Sequence, residues 1–450
     1  MTLKINLEFQ TAVYLICPSK RARWLKQAPT LRLLTFLMIE HLTQNFLKIK
    51  LLRPLLSRLL VVAIALLTLL TTSCSPSTAR TAEQRTFLDL SLDFLGEYQL
   101  AKPMMFEETP VGGLSALSYD RERDRFLALS DDRSNLAPAR FYTLALNINR
   151  DSAGEISIES VTVEDVTILK DENGKSYPPG TIDPEGIALS GKGGVFISTE
   201  GVPSRGIEPV IQEFDRQTGQ PLQRLRIPDR FLPNNNTQEE QLPRGVQENL
   251  GFEALTLEPV TLAAASGDPF RLFTATESAL IQDSLPPDSD DVPRIRLLHY
   301  LISDIAPPLL VAEHLYPLAP APKGTIDYGL SELVALDTEG HFLSLERSYG
   351  LLGLSAQIYQ LTLGGATDTS NIASLKGDIS RLDPVKKKLL LDLSTLGIYV
   401  DNLEGMTLGS RLPDGSRSLV LVSDDNFNEA QVTQFLLFRL NKGLGYNGGS

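Results

Sequence analysis

A hairpin that recurs five times at a spacing of about seventy residues constrains this chain more than any other feature of its 450 residues. Each copy is a short alternating strand, a turn rich in Gly, Asp or Ser, and a second strand that ends in an acid. The copies pair Gly113–Ser118 with Phe126–Asp131, Pro184–Leu189 with Val195–Glu200, and Phe252–Leu257 with Leu272–Glu277. Ser331–Leu336 pairs with Phe342–Glu346, and Leu403–Leu408 with Leu419–Asp424. The anchor positions Ser115, Glu185, Glu253, Glu332 and Glu404 lie 70, 68, 79 and 72 residues apart, a period with loop insertions. A period of this kind belongs to a ring or a solenoid of repeated units, because one such unit cannot bury its apolar face alone.

The intervals contain further alternating runs. Phe141–Leu146, Val210–Phe214, Ile295–Leu301, Gln357–Leu363 and Gln434–Leu440 read as third strands; Ile156–Val163, Leu222–Ile227, Leu309–Leu315 and Lys387–Leu393 read as fourth strands. Long helical periodicity is absent after residue 80. Four strands per unit repeated around a circle make an all-β propeller, which leaves only short, protected sheet edges. The fifth unit has no fourth strand downstream, and Phe87–Gln99 is placed to supply it and close the ring. Five or six four-stranded blades are expected, six if a long insertion hides a degenerate unit, and a double β-sandwich is the alternative. The domain is expected over 87–442, after a linker at 75–86.

In an antiparallel hairpin the start of the first strand and the end of the second lie together. The repeat therefore sets Glu185 beside Glu200, Glu253 beside Glu277, Glu332 beside Glu346, Glu404 beside Asp424, and Ser115 beside Asp131. If this hairpin is the inner one of each blade, the pairs ring one mouth of a central channel. Like charges that close repel and raise their pKa values unless a cation neutralises them. Oxygen-only ligands select hard ions such as Ca²⁺. Zinc is disfavoured, since His299, His314 and His341 have no paired ligand spacing. The structural alternative is that each acid caps backbone N–H groups of the next blade. No GxSxG motif, Ser/His/Asp arrangement or phosphate-cradling Gly loop competes. The expected site therefore uses Glu253, Glu332 and Glu404 in catalysis with Arg347 as an anion contact, and Glu185, Glu200, Glu277, Glu346, Asp424, Asp425 and Asp131 as metal ligands.

Charge divides the chain. Of 42 Lys+Arg and 55 Asp+Glu, 10 basic and 2 acidic residues lie at or before Cys74, so the remainder carries a net charge of −21. A body that negative repels phosphate backbones, so nucleic acid is not an expected partner. Residues 1–74 read as an export leader: the uncharged run Leu59–Leu70 follows Lys48, Lys50, Arg53 and Arg58 and precedes Thr71, Thr72 and Ser73. A run of twelve is too short for the roughly 20 apolar residues of a membrane-spanning helix. Cys74 resembles the acceptor of bacterial lipoproteins, which implies a lipid anchor in the cell envelope; cleavage near Ser73 and release is the alternative. Met38 is an alternative start. Cys17 is the only other cysteine, so the exported chain forms no internal disulfide.

At these hairpins the sequence resembles the phytase-like family, bacterial proteins described by an esterase-like activity of phytase. The matching motifs are Asp183-Pro-Glu-Gly-Ile-Ala, Asn249-Leu-Gly-Phe-Glu-Ala-Leu, Leu345-Glu-Arg347, Asn402-Leu-Glu-Gly and Ser423-Asp-Asp-Asn-Phe427, with Gly112-Gly-Leu-Ser and Leu129-Ser-Asp-Asp-Arg133 at the start. Ser115 and Ala254 depart from the Glu and Gly of the stronger copies. The resemblance covers roughly 95–440 and implies a propeller similar in outline to calcium-dependent phytases, with repeated acids carrying a phosphoesterase-type activity. The expected protein is an exported, monomeric, Ca²⁺-dependent hydrolase of a small phosphorylated or ester substrate. A non-catalytic ligand- or protein-binding propeller with latch acids is the competing expectation; sugar-lactone hydrolysis would share the acid ring.

Overall fold

Among the described residues, five antiparallel sheets of four strands each follow the order of the repeat, and Met105–Phe106 pairs with Thr109–Pro110 in a separate two-stranded sheet. The computed structural model describes residues 86–443, apart from 192, 235–241, 259–267, 287–288, 290 and 352. The chain divides into two compact units, Met1–Ala79 and Arg80–Ser450, and the described residues fall in the second. Cys74, the apolar run Leu59–Leu70 and the rest of the expected leader lie outside the described residues.

Blade 1 contains Leu114–Asp120, Arg125–Ser130, Arg140–Arg150 and Ile156–Ile168; blade 2 contains Pro184–Leu189, Gly194–Thr199, Val210–Asp215 and Pro221–Arg224. Blade 3 contains Phe252–Leu257, Phe270–Thr276, Arg294–Ile302 and Leu309–Pro317; blade 4 contains Thr325–Ala335, His341–Gly350, Gly353–Thr362 and Lys386–Asp392. Blade 5 takes Asn402–Arg411, Arg417–Asp424 and Gln434–Lys442 from the C-terminal part and Leu90–Gln99 from the N-terminal part. In that closing pair Leu90 lies opposite Lys442 and Gln99 opposite Gln434, so the two ends of the domain are tied by backbone hydrogen bonds. The first strands touch their neighbours in a closed circuit, from blade 1 through blade 5 and back. The propeller therefore has five blades, and the first strands line its axis.

Burial follows this arrangement. Every residue of Phe252–Leu257 is buried, because a first strand is covered on both faces by neighbouring blades. The outermost strand Leu90–Gln99 keeps much of the alternation of a surface strand. The core consists of five apolar clusters, one at each blade interface; Phe196 meets Phe270 between blades 2 and 3, and Phe273 meets Phe342 between blades 3 and 4, with ring centroids 6.0 and 4.7 Å apart. Near the axis the backbones approach closely. A Cβ on Gly186 would fall 2.3 Å from the Glu253 carbonyl oxygen, so only glycine fits there.

One irregularity recurs in all five first strands. Ladder pairing skips Ser115 in blade 1, Glu185 in blade 2, Glu253 and Ala254 in blade 3, Ser331 in blade 4 and Glu404 in blade 5. Such a bulge re-aims the skipped side chain. Here it occurs five times at the same end of the channel.

Candidate active site at the acidic mouth

The strand register determines which residues share the mouth. The residue after each second-strand hairpin partner is Asp131, Glu200, Glu277, Arg347 or Asp424. Backbone N–H groups of the first three donate to the carbonyls of Gly113, Asp183 and Gly251 at 2.8, 3.1 and 2.7 Å. Arg347 pairs with Gly329, and Asp424 with Asn402. Blade 4 therefore repeats blade 1: Gly329-Leu330-Ser331 corresponds to Gly113-Leu114-Ser115, and the structural anchors 115, 185, 253, 331 and 404 are 70, 68, 78 and 73 residues apart. The sequence repeat sets Glu332 and Glu346 at these positions, one residue away from their structural equivalents.

Seven acids of the repeat, Asp131, Glu185, Glu200, Glu253, Glu277, Glu404 and Asp424, form one electrostatically connected cluster, and Asp183 joins it from the residue before blade 2. Oxygen atoms of Asp183, Glu185 and Glu200 lie within 4.8 Å of one another, as do those of Glu200, Glu253 and Glu277. Two guanidiniums enter the cluster. Arg347 Nη2 lies 2.9 Å from Glu277 Oε1 and its Nε 3.2 Å from Glu404 Oε1, while Nη1 is 3.8 Å from Asp327 on the rim. Arg133 Nε donates to Asp183 Oδ1 at 2.6 Å, and its Nη2 donates to Asn249 at 2.5 Å. Eight carboxylates thus face two guanidiniums.

The excess shows in the titration. Burial raises Asp131, Glu185, Glu200, Glu253 and Asp424 well above the carboxylate range, and neighbouring carboxylates raise them further. Burial also raises Glu404, against the pull of Arg347. It pushes Asp183 up to about 6 against Arg133 and Glu277 up to about 7 against Arg347. For Arg347 burial disfavours the charge, but Glu277 and Glu404 outweigh it and hold the guanidinium protonated. Asp183 Oδ2 and Glu277 Oε2 are buried with no hydrogen-bond partner, while Glu277 Oε1 and Arg347 Nε have only their ion contacts. Unpartnered carboxylate oxygens in a cluster of hard donors fit a hard metal cation, which would supply the missing charge.

The other expected residues are held by other contacts, although Asp425 adjoins the cluster and adds to the negative charge around Asp424. Glu332 Oε1 accepts the backbone N–H groups of Leu333 at 2.9 Å and of Leu255, in blade 3, at 3.2 Å, so it ties adjacent first strands. Glu346 accepts from Tyr316 Oη at 2.5 Å and from the Ala319 N–H at 2.8 Å, and pairs with Lys387, whose ammonium lies over the Tyr316 and Tyr359 rings. Asp425 accepts the Gly113 N–H at 2.9 Å and pairs with Lys102 at 2.6 Å, closing blade 5 onto blade 1. Sequence reasoning missed Asp183 and Arg133 as site residues, although both stand in the motifs Asp183-Pro-Glu and Ser130-Asp-Asp-Arg133. The loops on either side of blade 3's first hairpin are joined by two hydrogen bonds: Gln247 donates to the Ala279 carbonyl at 2.7 Å, and Gln282 donates to the Arg230 carbonyl at 2.9 Å.

Fold and site together define a five-bladed propeller with a buried, cation-deficient ring of carboxylates at one mouth. The family model for esterase-like activity of phytase matches residues 109–427, and the chain belongs to this phytase-like family. An uncharacterized secreted protein of Arthroderma benhamiae is 28% identical over 229 residues, which span 44% of this chain and 41% of the relative's length. Similar solved structures include an endo-arabinase from Bacteroides thetaiotaomicron, 11% identical with a TM-score of 0.37, covering 74% of this chain and 96% of that one. The Dos1 propeller is 9% identical with a TM-score of 0.28, over 73% and 68%. The Malassezia sympodialis allergen Mala s 1 is 10% identical with a TM-score of 0.33, over 73% and 93%. Among the described residues, no helix is long and apolar enough to cross a membrane.

Proposed function

We propose that this protein is an exported hydrolase that binds Ca²⁺ at the acidic mouth and cleaves a small phosphate ester or carboxyl ester there. The observation that carries the reading is the pair of buried, unpartnered oxygens Asp183 Oδ2 and Glu277 Oε2 among eight carboxylates. Glu200 belongs to both oxygen triads and is the residue around which cation binding would centre, with Asp183, Glu185, Glu253 and Glu277 beside it. When bound, the ion supplies charge neutralisation for an anionic substrate and polarises the bond to be broken. The protein's own groups divide the remaining work. Asp183, whose Oδ1 accepts from Arg133, offers its second, unpartnered oxygen to the cation. Arg133, whose side chain is 32% exposed, reaches from Asp183 toward solvent and orients an anionic oxygen; Arg347 holds Glu277 and Glu404 in place. Export is supported by the basic leader with its apolar run and by the secreted relative. A lipid on Cys74 and a monomeric state belong to the same proposal.

The test is turnover by the purified protein, with and without Ca²⁺, on phosphomonoesters, phosphodiesters and carboxyl esters. Ca²⁺-dependent turnover of one class supports the reading; no turnover on any class with Ca²⁺ present overturns it. The second reading, a non-catalytic binding propeller, is favoured by Glu332 and Glu346, two acids of the expected ring that act as latches. That reading requires Glu200→Gln to change thermal stability alone, with no activity to lose.

A further inference from the structure

The five first strands begin at the acidic mouth and end around a cavity of about 1040 Å³ at the opposite mouth. Its floor is apolar, with Leu255 and Met406 among the lining residues, and its rim carries Arg121, Arg123, Arg216, Arg411 and Arg417. These five guanidiniums meet four lining carboxylates, Asp120, Glu122, Asp124 and Asp337, an inversion of sign in a chain whose net charge is −13. The pairing is uneven as well. Buried Asp120 takes both Arg216 at 2.5 Å and Arg123 at 3.1 Å through one oxygen. Asp337 takes both Arg417 and, at 3.7 Å, Lys442. Asp124 is engaged by the Tyr119 hydroxyl at 2.7 Å. Arg121 and Arg411 have no ion pair among the described residues; Arg411 donates only to the Gly415 carbonyl of its own turn.

Each guanidinium has five N–H donors in a planar fork that matches carboxylate and phosphate oxygens, so two arginines on one acid leave donors over. A cavity near the upper end of the ~300–1,000 Å³ range of small-molecule sites gives these donors a shared target. The geometry points to a second ligand site: the mouth opposite the acids binds a small organic polyanion, its phosphate or carboxylate groups on Arg121 and Arg411 and its body against the apolar floor. This site is independent of the hydrolytic reading, because no residue of it belongs to the acidic cluster.

The experiment is isothermal titration of the whole protein with inorganic pyrophosphate and, separately, with citrate, in EDTA so that the acidic mouth holds no cation. Saturable binding is expected for one or both; pyrophosphate alone assigns a phosphate ligand and citrate alone a carboxylate ligand, and either supports the site. The double variant Arg121→Ala, Arg411→Ala, at two exposed positions with circular dichroism confirming the fold, is expected to weaken binding by about tenfold or more. Glu253→Gln is expected to leave binding unchanged. No saturable binding of either probe up to about 10 mM overturns the proposal. So does binding that survives the double arginine variant, or that is lost in Glu253→Gln.

Discussion

Arg347 stands at the position that holds an acid in the other four blades, and its replacement tests how the mouth balances its charge. Its side chain is only 13% exposed and contacts Glu277 at 2.9 Å and Glu404 at 3.2 Å. Arg347→Met keeps most of the packing volume but leaves two buried carboxylates facing each other and Glu253. Removing one partner from a buried pair costs about 3–5 kcal/mol, because the other charge stays desolvated and alone. At about 2.1 cal/mol/K per residue, a domain of roughly 350 residues should then lose about 4–7 °C in melting temperature. Calorimetry in EDTA at pH 8, where Glu277 is mostly ionised, measures this. The double variant Arg347→Met, Glu277→Gln should recover at least half of the loss, since one of the stranded charges is gone; a double-mutant cycle isolates that coupling. A variant as stable as the parent, or no recovery in the double variant, would refute this balance of charge at the mouth.

Three further outcomes follow from the same geometry. Without metal, stability should fall as pH rises from about 5 to 8. Asp183 and Glu277 have folded pKa values raised to about 6 and 7, so across this window the folded state binds more protons than the unfolded state, and ionisation is penalised by folding. Urea unfolding at several pH values in EDTA checks the sign, and saturating Ca²⁺ should flatten the slope. Glu332→Ala should lower stability by about 1–3 kcal/mol through the stranded N–H groups of Leu255 and Leu333, while Glu332→Gln should cost under about 1 kcal/mol, with Ca²⁺ binding unchanged in both. Removal of residues up to Gln99 takes away the outermost strand of blade 5; the protein should then fail to give a single cooperative unfolding transition, as read by circular dichroism.

The blades are legible in the sequence because strands on a half-buried surface alternate and turns carry Gly, Asp and Ser. The closing strand is the clearest case: Phe87–Gln99 has the alternation and lacks a partner, and Leu90–Gln99 pairs where the ring demands it. Blade 4 shows what such reading loses. A bulge adds one residue to the first strand, so whether Ser331 or Glu332 faces the mouth depends on a backbone irregularity that residue types do not encode. Glu332 and Glu346 mimic the acid pattern one position away, and Arg347, which reads as an isolated anion contact, occupies the repeat position itself. Asp183 and Arg133 lie outside the two repeated positions and reach the site through loops. The arginines of the opposite mouth sit near strand ends and on turns, at no fixed period, so only the fold brings them together.

The most direct measurement is Ca²⁺ titration of the metal-stripped protein by calorimetry, alongside the variants Glu200→Gln and Glu346→Gln. Glu200 contributes to both oxygen triads at the mouth, and Glu346 is bound up with Lys387 and Tyr316 away from it. Saturable binding that is lost in Glu200→Gln and retained in Glu346→Gln is the predicted result. No heat of binding in the parent protein, with a melting temperature that EDTA leaves unchanged, would contradict the assignment of the acidic mouth as a cation site.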